Sequence, residues 1–270
     1  MTTIETYESQ TPALPQKPKK QFRNWLKAFV AIDRLRRDND DTEQVFKIIE
    51  ALKGNAVDTQ YNDFIATEIG QRVINEKICA IDFLSKREEL RQYPEGTLGR
   101  IYIDFMDFEG ITAEGLRDVS YEGGFATDGA EETEEQRVFS EWNRDIHDLF
   151  HIICGYGRDP LGELSVLAVT YRQTKSLGVG FIALMGSFEY QKILRPAPVV
   201  KAILQGFKIG KECENLVAQD WEALLKLPLT EVRAKLNLRT PTYYNQVLES
   251  AIERGVDHPR YQAATLRIPA

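Results

Sequence analysis

The sequence predicts an all-α fold, a single compact multi-helix domain, and three observations carry that prediction. Apolar residues recur at helical spacing through most of the chain between Phe22 and Leu236. The interruptions fall at glycines, prolines and capping residues. No alternating stretch has a partner strand nearby. At 270 residues and 43% hydrophobic, the chain can bury a sizeable core.

The elements follow in order. Residues 1–21, with Pro12, Pro15 and Pro18 among polar neighbours, read as a flexible N-terminal arm. Residues 22–238 form the predicted all-α domain, and 239–270 a C-terminal extension with one short helical pattern near Tyr244–Arg254. The domain opens on Phe22, Trp25, Leu26, Phe29, Ile32 and Leu35, an apolar stripe expected to face the core. Lys17, Lys19, Lys20, Arg23 and Lys27 interleave with it, so an amphipathic segment at a membrane surface is the second reading. A helix capped by Asp41 runs to Leu52 and stops at Gly54, and further helices are expected around Asp63–Gln71 and Ala80–Gln92. Leu98–Phe108 suits strand or buried helix; helix is favoured because nothing nearby could pair with a strand.

Residues 109–130 read as a glycine-rich acidic loop, and from Asp104 to Glu141 there are twelve acids against two bases. A solvated loop is the expected explanation. The next helix begins near Glu131–Glu135 and is expected to run unbroken to Gly155. Asp159-Pro160 then marks an N-cap followed by proline at the first helical position. Helices continue through Leu164–Thr174, Gly178–Tyr190, Pro198–Gln219 and Thr230–Leu236. The segment Leu177–Phe188 is apolar nearly all round and holds Gly178, Gly180 and Gly186. It reads first as a buried core helix, and second as the wall of a channel admitting a lipid tail.

Charge and composition exclude several classes. A net charge of -7 argues against sequence-independent nucleic-acid binding. Three cysteines without a C-x-x-C pair suggest free thiols in a reducing compartment. The first twenty residues have neither the apolar run of a signal peptide nor the Arg-rich, acid-poor pattern of a transit peptide. The expectation is a cytoplasmic protein, at most peripheral at the inner face of the membrane. Apolar faces on several helices are compatible with a homodimer.

The chemistry concentrates at His147-Asp148-Leu149-Phe150-His151, with Glu163 following after eleven residues. The chain has three histidines and two are here. On a helix these three donors share an arc of roughly 100°, since residues i and i+4 stack on one face. Gly155-Tyr156-Gly157 supplies a tight turn bringing Glu163 back from the next helix as a fourth donor. Two imidazoles with two carboxylates suit zinc, iron or manganese, and zinc is the first choice. Cys154, on roughly the same face, is expected to pack as a small hydrophobe. Arg158 in the turn either holds an anionic substrate group or forms a local ion pair; with Tyr156 it is a candidate substrate contact. His258 has no companion donors and is expected to be exposed.

This motif resembles that of the fourth coenzyme Q biosynthesis protein family. Pro94-Glu-Gly-Thr97 before Leu98-Gly-Arg100-Ile-Tyr102, Leu161-Gly-Glu163, and Pro228 through Leu236 are similar to further stretches of that family. The resemblance covers roughly residues 40–240. It implies an all-α fold and a divalent metal, usually zinc, held at His147, Asp148, His151 and Glu163. It also implies a hydrophobic site for a polyprenylated quinone precursor, attachment to membranes from one side, and membership of a multi-enzyme assembly. The implied reaction is oxidative removal of a ring carboxylate; a non-catalytic lipid-binding scaffold is the alternative. The missing presequence pattern points to a bacterial-type member.

Two other enzyme classes fit poorly. A zinc peptidase of the H-E-x-x-H type would carry glutamate where this chain has Asp148. A phosphohydrolase built on a His-Asp pair would need more histidines than His258 supplies.

Overall fold

A computed structural model describes residues 13–15, 22–37, 42–113 and 133–255. They form helices throughout, and the described residues contain no strand, only an isolated bridge between Thr97 and Pro228. In chain order the helices are α1 (Trp25–Arg37), α2 (Thr42–Leu52), α3 (Ala56–Ile65), α4 (Glu68–Glu76), α5 (Ile81–Leu84), α6 (Arg87–Arg91) and α7 (Leu98–Glu109). Beyond the acidic segment come α8 (Glu134–Asp145), α9 (His147–Cys154), α10 (Pro160–Thr174), α11 (Leu177–Ile193) and α12 (Val199–Glu212). The last described helices are α13 (Trp221–Leu224), α14 (Leu229–Lys235) and α15 (Thr242–Glu253).

Helices α10, α11 and α12 pack mutually and form the centre. Small residues set how close they come. A Cβ at Gly210 of α12 would fall 2.6 Å from the Val169 carbonyl of α10, and one at Gly178 of α11 would fall 2.5 Å from Ile49 Cα of α2. Backbone therefore lies nearly on backbone, and the glycines expected to line a core or a channel serve as packing surfaces. This fixes α10, the helix that carries Glu163. Helix α9 is held by α7 on one side and by α10 and α14 on the others, and α15 packs along α12.

Several boundaries differ from the sequence reading. The helix expected around residues 63–71 is interrupted, because Thr67 caps α4 by accepting from the Gly70 amide. Leu98–Phe108 is helical, capped by Thr97 and ended by Gly110 at φ 66°. The helix expected through residue 154 breaks at Ile146, so His147 opens a helix of its own. Helix α12 stops at Glu212, well before Gln219, because Cys213 turns to extended backbone. The opening stripe is a correction. Ala28, Ala31 and Ile32 form the buried face of α1, while Phe22, Trp25, Leu26 and Phe29 are exposed. The proposed Asp41 cap, most of the acidic loop, and His258 lie outside the described residues.

Candidate metal centre

Helix α9 begins directly at His147 and ends at Cys154, with Gly155 closing it in the left-handed conformation at φ 76°. Four residues apart, the His147 and His151 rings meet edge to face with centroids 5.1 Å apart. The chain reverses through Tyr156 and Gly157, and Asp159 caps α10 by accepting from the Leu161 and Gly162 amides at 3.0 and 3.1 Å. Pro160 occupies the first helical position, as its spacing predicts. Glu163 thereby returns to the histidines. Its Oε2 lies 3.4 Å from His151 Nε2 and 3.9 Å from His147 Nε2. The reversal is tight enough that a Cβ at Gly162 would sit 1.9 Å from the Gly157 carbonyl oxygen, so only glycine fits there.

His151 is the best-defined member. It is fully buried, and Phe105 of α7 stacks on its ring at 6.3 Å. Its Nδ1 faces the Gly157 and Tyr156 carbonyl oxygens at 3.1 and 3.3 Å. Carbonyls only accept, so Nδ1 carries the proton and donates. Nε2 then points at Glu163, yet it makes no hydrogen bond of proper geometry. A buried polar atom without a partner is disfavoured by about 1–3 kcal/mol, and such atoms are rare enough to need an explanation.

The electrostatics agree. Burial alone would keep His151 neutral, but the Glu163 carboxylate, with Asp148 nearby, lifts its pKa above the ordinary histidine value. Burial likewise pushes Glu163 upward, but the two imidazoles override it and hold the carboxyl well below its usual range. The cluster therefore favours a positive charge between the imidazoles and the carboxylate, whether that charge is a proton or a metal ion.

Among the described residues, His147, His151 and Glu163 form a group whose ligand atoms all lie within 4.8 Å of one another. Zinc with ligand bonds of about 2.0–2.2 Å in tetrahedral directions needs donors roughly 3.3–3.6 Å apart, so the cluster fits after small side-chain adjustments. Asp148 is buried and close enough for its charge to reach His151, but it does not belong to that group. Arg158 lies with its Nε 3.6 Å from Glu163 Oε1 and Nη1 4.0 Å from Glu109 of α7, the local ion pair that was one of its two expected roles. Tyr156 is fully buried with its ring against Tyr244, so its carbonyl rather than its side chain reaches the cluster. Cys154 is buried as a small hydrophobe, and burial pushes its thiol far above the ordinary range.

Other contributors were not evident from sequence. Arg233 of α14 donates to the Ile153 and Ile152 carbonyls at 3.0 and 3.2 Å, capping the C-terminus of α9. Phe105 and Glu109 come from α7, and Tyr244 from α15. No local pattern marks any of them, because their roles arise from distant segments packing together. A separate cleft of about 350 Å³ is lined by Arg72, Glu76, Trp142, Asp220 and Lys226, among others, and shares no residue with the cluster.

Residues 17–242 match the profile of a family described as coenzyme Q (ubiquinone) biosynthesis protein Coq4. The chain belongs to the Coq4 family. A Coq4 relative from Schizosaccharomyces japonicus, named for ubiquinone biosynthesis and mitochondrial, is 29% identical over 65% of this chain and 70% of its own length. One from Coprinopsis cinerea is 26% identical over 67% of this chain and 59% of its own. One from Candida tropicalis is 26% identical over 66% of this chain and 52% of its own. This Coq4 chain thus spans only half to three fifths of the latter two relatives. In fold it resembles a solved protein of Nostoc punctiforme, provisionally assigned to ubiquinone biosynthesis, with a TM-score of 0.58 at 20% identity over 80% of this chain and 98% of that one. No described helix of this Coq4 chain is long and apolar enough to cross a membrane.

Proposed function

We propose that this protein acts in ubiquinone biosynthesis on a polyprenylated aromatic acid, replacing its ring carboxyl group with hydroxyl beside a divalent cation, zinc in the first instance. Dioxygen is the two-electron oxidant, reduced to hydrogen peroxide, and the carboxyl leaves as carbon dioxide. The observation that carries the reading is the fully buried His151 Nε2, which faces the Glu163 carboxylate at 3.4 Å without a hydrogen bond of proper geometry. His147, His151 and Glu163 would hold the ion, with Asp148 as a further donor or as the charge behind His151. When bound, the cation supplies Lewis acidity toward a phenol or carboxylate oxygen.

The chain's own groups then have defined tasks. Gly157 and Tyr156 hold the proton on His151 Nδ1, which leaves Nε2 free as a ligand atom. Arg158, already beside Glu163, orients the substrate carboxylate through its planar fork. Phe105, stacked on the His151 ring, keeps water from the buried side of the site.

The test is direct. Purified protein should bind one zinc per chain in competition with a chromogenic chelator, and His147→Ala and Glu163→Gln should each abolish stoichiometric binding. Aerobic incubation with a prenylated hydroxybenzoate should release carbon dioxide only with the metal present. Full turnover by a metal-free double mutant overturns the reading.

A second reading, a non-catalytic prenyl-lipid scaffold peripheral to a membrane, rests on a different observation. Trp25 and Phe29 of α1 pack edge-on to Phe181 of α11 with centroids 6.1 and 5.5 Å apart, yet both remain exposed beside Leu26 and Val30. Lys27 and Arg34 are exposed on the flank of that apolar face. Aromatic and basic residues so arranged suit an anionic lipid surface. Zinc binding without carbon dioxide release, together with vesicle binding, would favour the scaffold.

A further inference from the structure

The Tyr244 hydroxyl sits where three parts of the candidate site meet. It accepts a hydrogen bond from the Gly157 amide at 2.8 Å and donates to Asp159 Oδ2. Gly157 is also the residue whose carbonyl accepts the hydrogen bond from His151 Nδ1. Asp159 is the residue whose other oxygen caps α10 and whose backbone carbonyl accepts from the Glu163 amide at 2.9 Å. A continuous polar chain therefore runs from His151 through Gly157, Tyr244 and Asp159 to Glu163. Every member from Gly157 to Asp159 is buried, and Tyr244 is 1% exposed. In such surroundings a satisfied network is stiff, because each group it holds has no water to turn to.

The hydroxyl comes from far along the chain. Tyr244 lies on α15, more than eighty residues from both partners, and outside the segment that matches the family profile, which ends at residue 242. Its helix is anchored independently of the network, since Val247, Leu248 and Ala251 are buried and α15 packs on α12. The Tyr244 ring also packs edge-on against Tyr156 with centroids 5.1 Å apart, which braces the outer side of the reversal.

We propose that Tyr244 is a positioning residue for the metal centre: through Gly157 and Asp159 its hydroxyl fixes the turn that sets the angle between the His147–His151 pair and Glu163. This rests on the metal reading above. Outer partners that orient a metal-binding histidine typically change affinity by 10–100-fold when removed. The brace acts one bond further out, on the carbonyl that orients the histidine and on the cap that orients the carboxylate together.

The test uses the full chain and zinc alone. Tyr244→Phe keeps the ring and its contact with Tyr156 but deletes the hydroxyl. Zinc affinity should fall roughly 10-fold or more, with helical content unchanged, and the Gly157 amide should exchange with solvent faster. Leu248→Ala, on the buried face of the same helix but outside the network, is the control for general destabilisation and should retain wild-type affinity. Wild-type affinity in Tyr244→Phe overturns the brace, as does an equal loss in Leu248→Ala. The two readings fail distinguishably. If the wild-type chain binds no zinc, or binds it unaffected by His151→Ala, the metal reading falls and the brace with it. If binding depends on His151 but not on the Tyr244 hydroxyl, the brace alone falls.

Discussion

Between His147 and Glu163 the chain buries polar groups, whereas along α1 it leaves large apolar ones in water. The first region has imidazole, carboxylate and phenol groups in the interior, and two of its buried polar atoms, His151 Nε2 and the Tyr156 hydroxyl oxygen, make no hydrogen bond. The second exposes Leu26 at 77% and Phe29 at 53%, with Ala28 beneath them fully buried. Folding stability explains neither region. Buried polar groups gain little over apolar ones of the same shape, and exposed aromatics forgo burial worth about 1.5–3 kcal/mol each. Each departure has a directional reading. In the functions proposed above, the buried nitrogen facing a carboxylate would take a cation, and the exposed rings with bases on their flank would take a greasy, negatively charged surface.

The comparison can be broken at either end. The largest effect should come from His151→Ala. Loss of stoichiometric zinc binding is expected, with a drop in stability of about 2–4 kcal/mol from the cavity left under Phe105, measured by chelator competition and urea unfolding. Retained binding would mean that the unpartnered nitrogen is incidental.

Next is Gly162→Ala. Its methyl would meet the Gly157 carbonyl oxygen at 1.9 Å, so the reversal must open, at about 3 kcal/mol. Calorimetry should show the melting temperature falling by roughly 6–12 °C. An unchanged melting temperature would show that the turn is not held tightly.

On the α1 side, Lys27→Glu with Arg34→Glu should weaken sedimentation with vesicles rich in anionic lipid. Removing two bases amounts to about 2 kcal/mol, or roughly 30-fold, before the added acids are counted. Stability should stay within about 0.5 kcal/mol because both side chains are exposed. Equal binding to neutral and anionic vesicles would remove the electrostatic half of that reading.

The smallest effect concerns the Cys79 and Cys213 thiols, which belong to neither region. Burial, reinforced by the Asp145 carboxylate, pushes Cys79 up to about 11, and burial pushes Cys213 up to about 12. A raised pKa keeps the unreactive protonated thiol below that pH, so reaction with a disulfide reagent should be slow at pH 8 and accelerate only toward pH 11. Added zinc should leave the rate unchanged. Protection by zinc would move the metal from the histidines to the cysteines.

Much of the candidate site was legible because its signals are local. The i, i+4 histidines, the glycine turn, the Asp159-Pro160 start of α10 and the position of Glu163 all lie within seventeen residues, and helix geometry relates them directly. Asp148 shows what spacing leaves open. A shared arc of roughly 100° allows three donors to converge, and among the described residues His147, His151 and Glu163 form the close group, with Asp148 buried beside it. The stripe on α1 faces the core only at Ile32 and Leu35, for a related reason. Periodicity reveals that a helix has an apolar face, but not whether a partner covers it, and here the small residues Ala28 and Ala31 took the core side.

By itself, then, the sequence determined the all-α class, the end of α9 and the start of α10, and the donor types that meet there, because hydrogen-bonding period and capping act within a few residues. Tertiary structure alone decided that His151 would be sealed under Phe105, that Arg158 would pair with Glu163 and Glu109, and that Tyr244 would reach across to the ligand turn. Those outcomes depend on which backbones can approach closely. The glycines of α11 and α12 permit that approach, but no short-range pattern specifies which helices will meet.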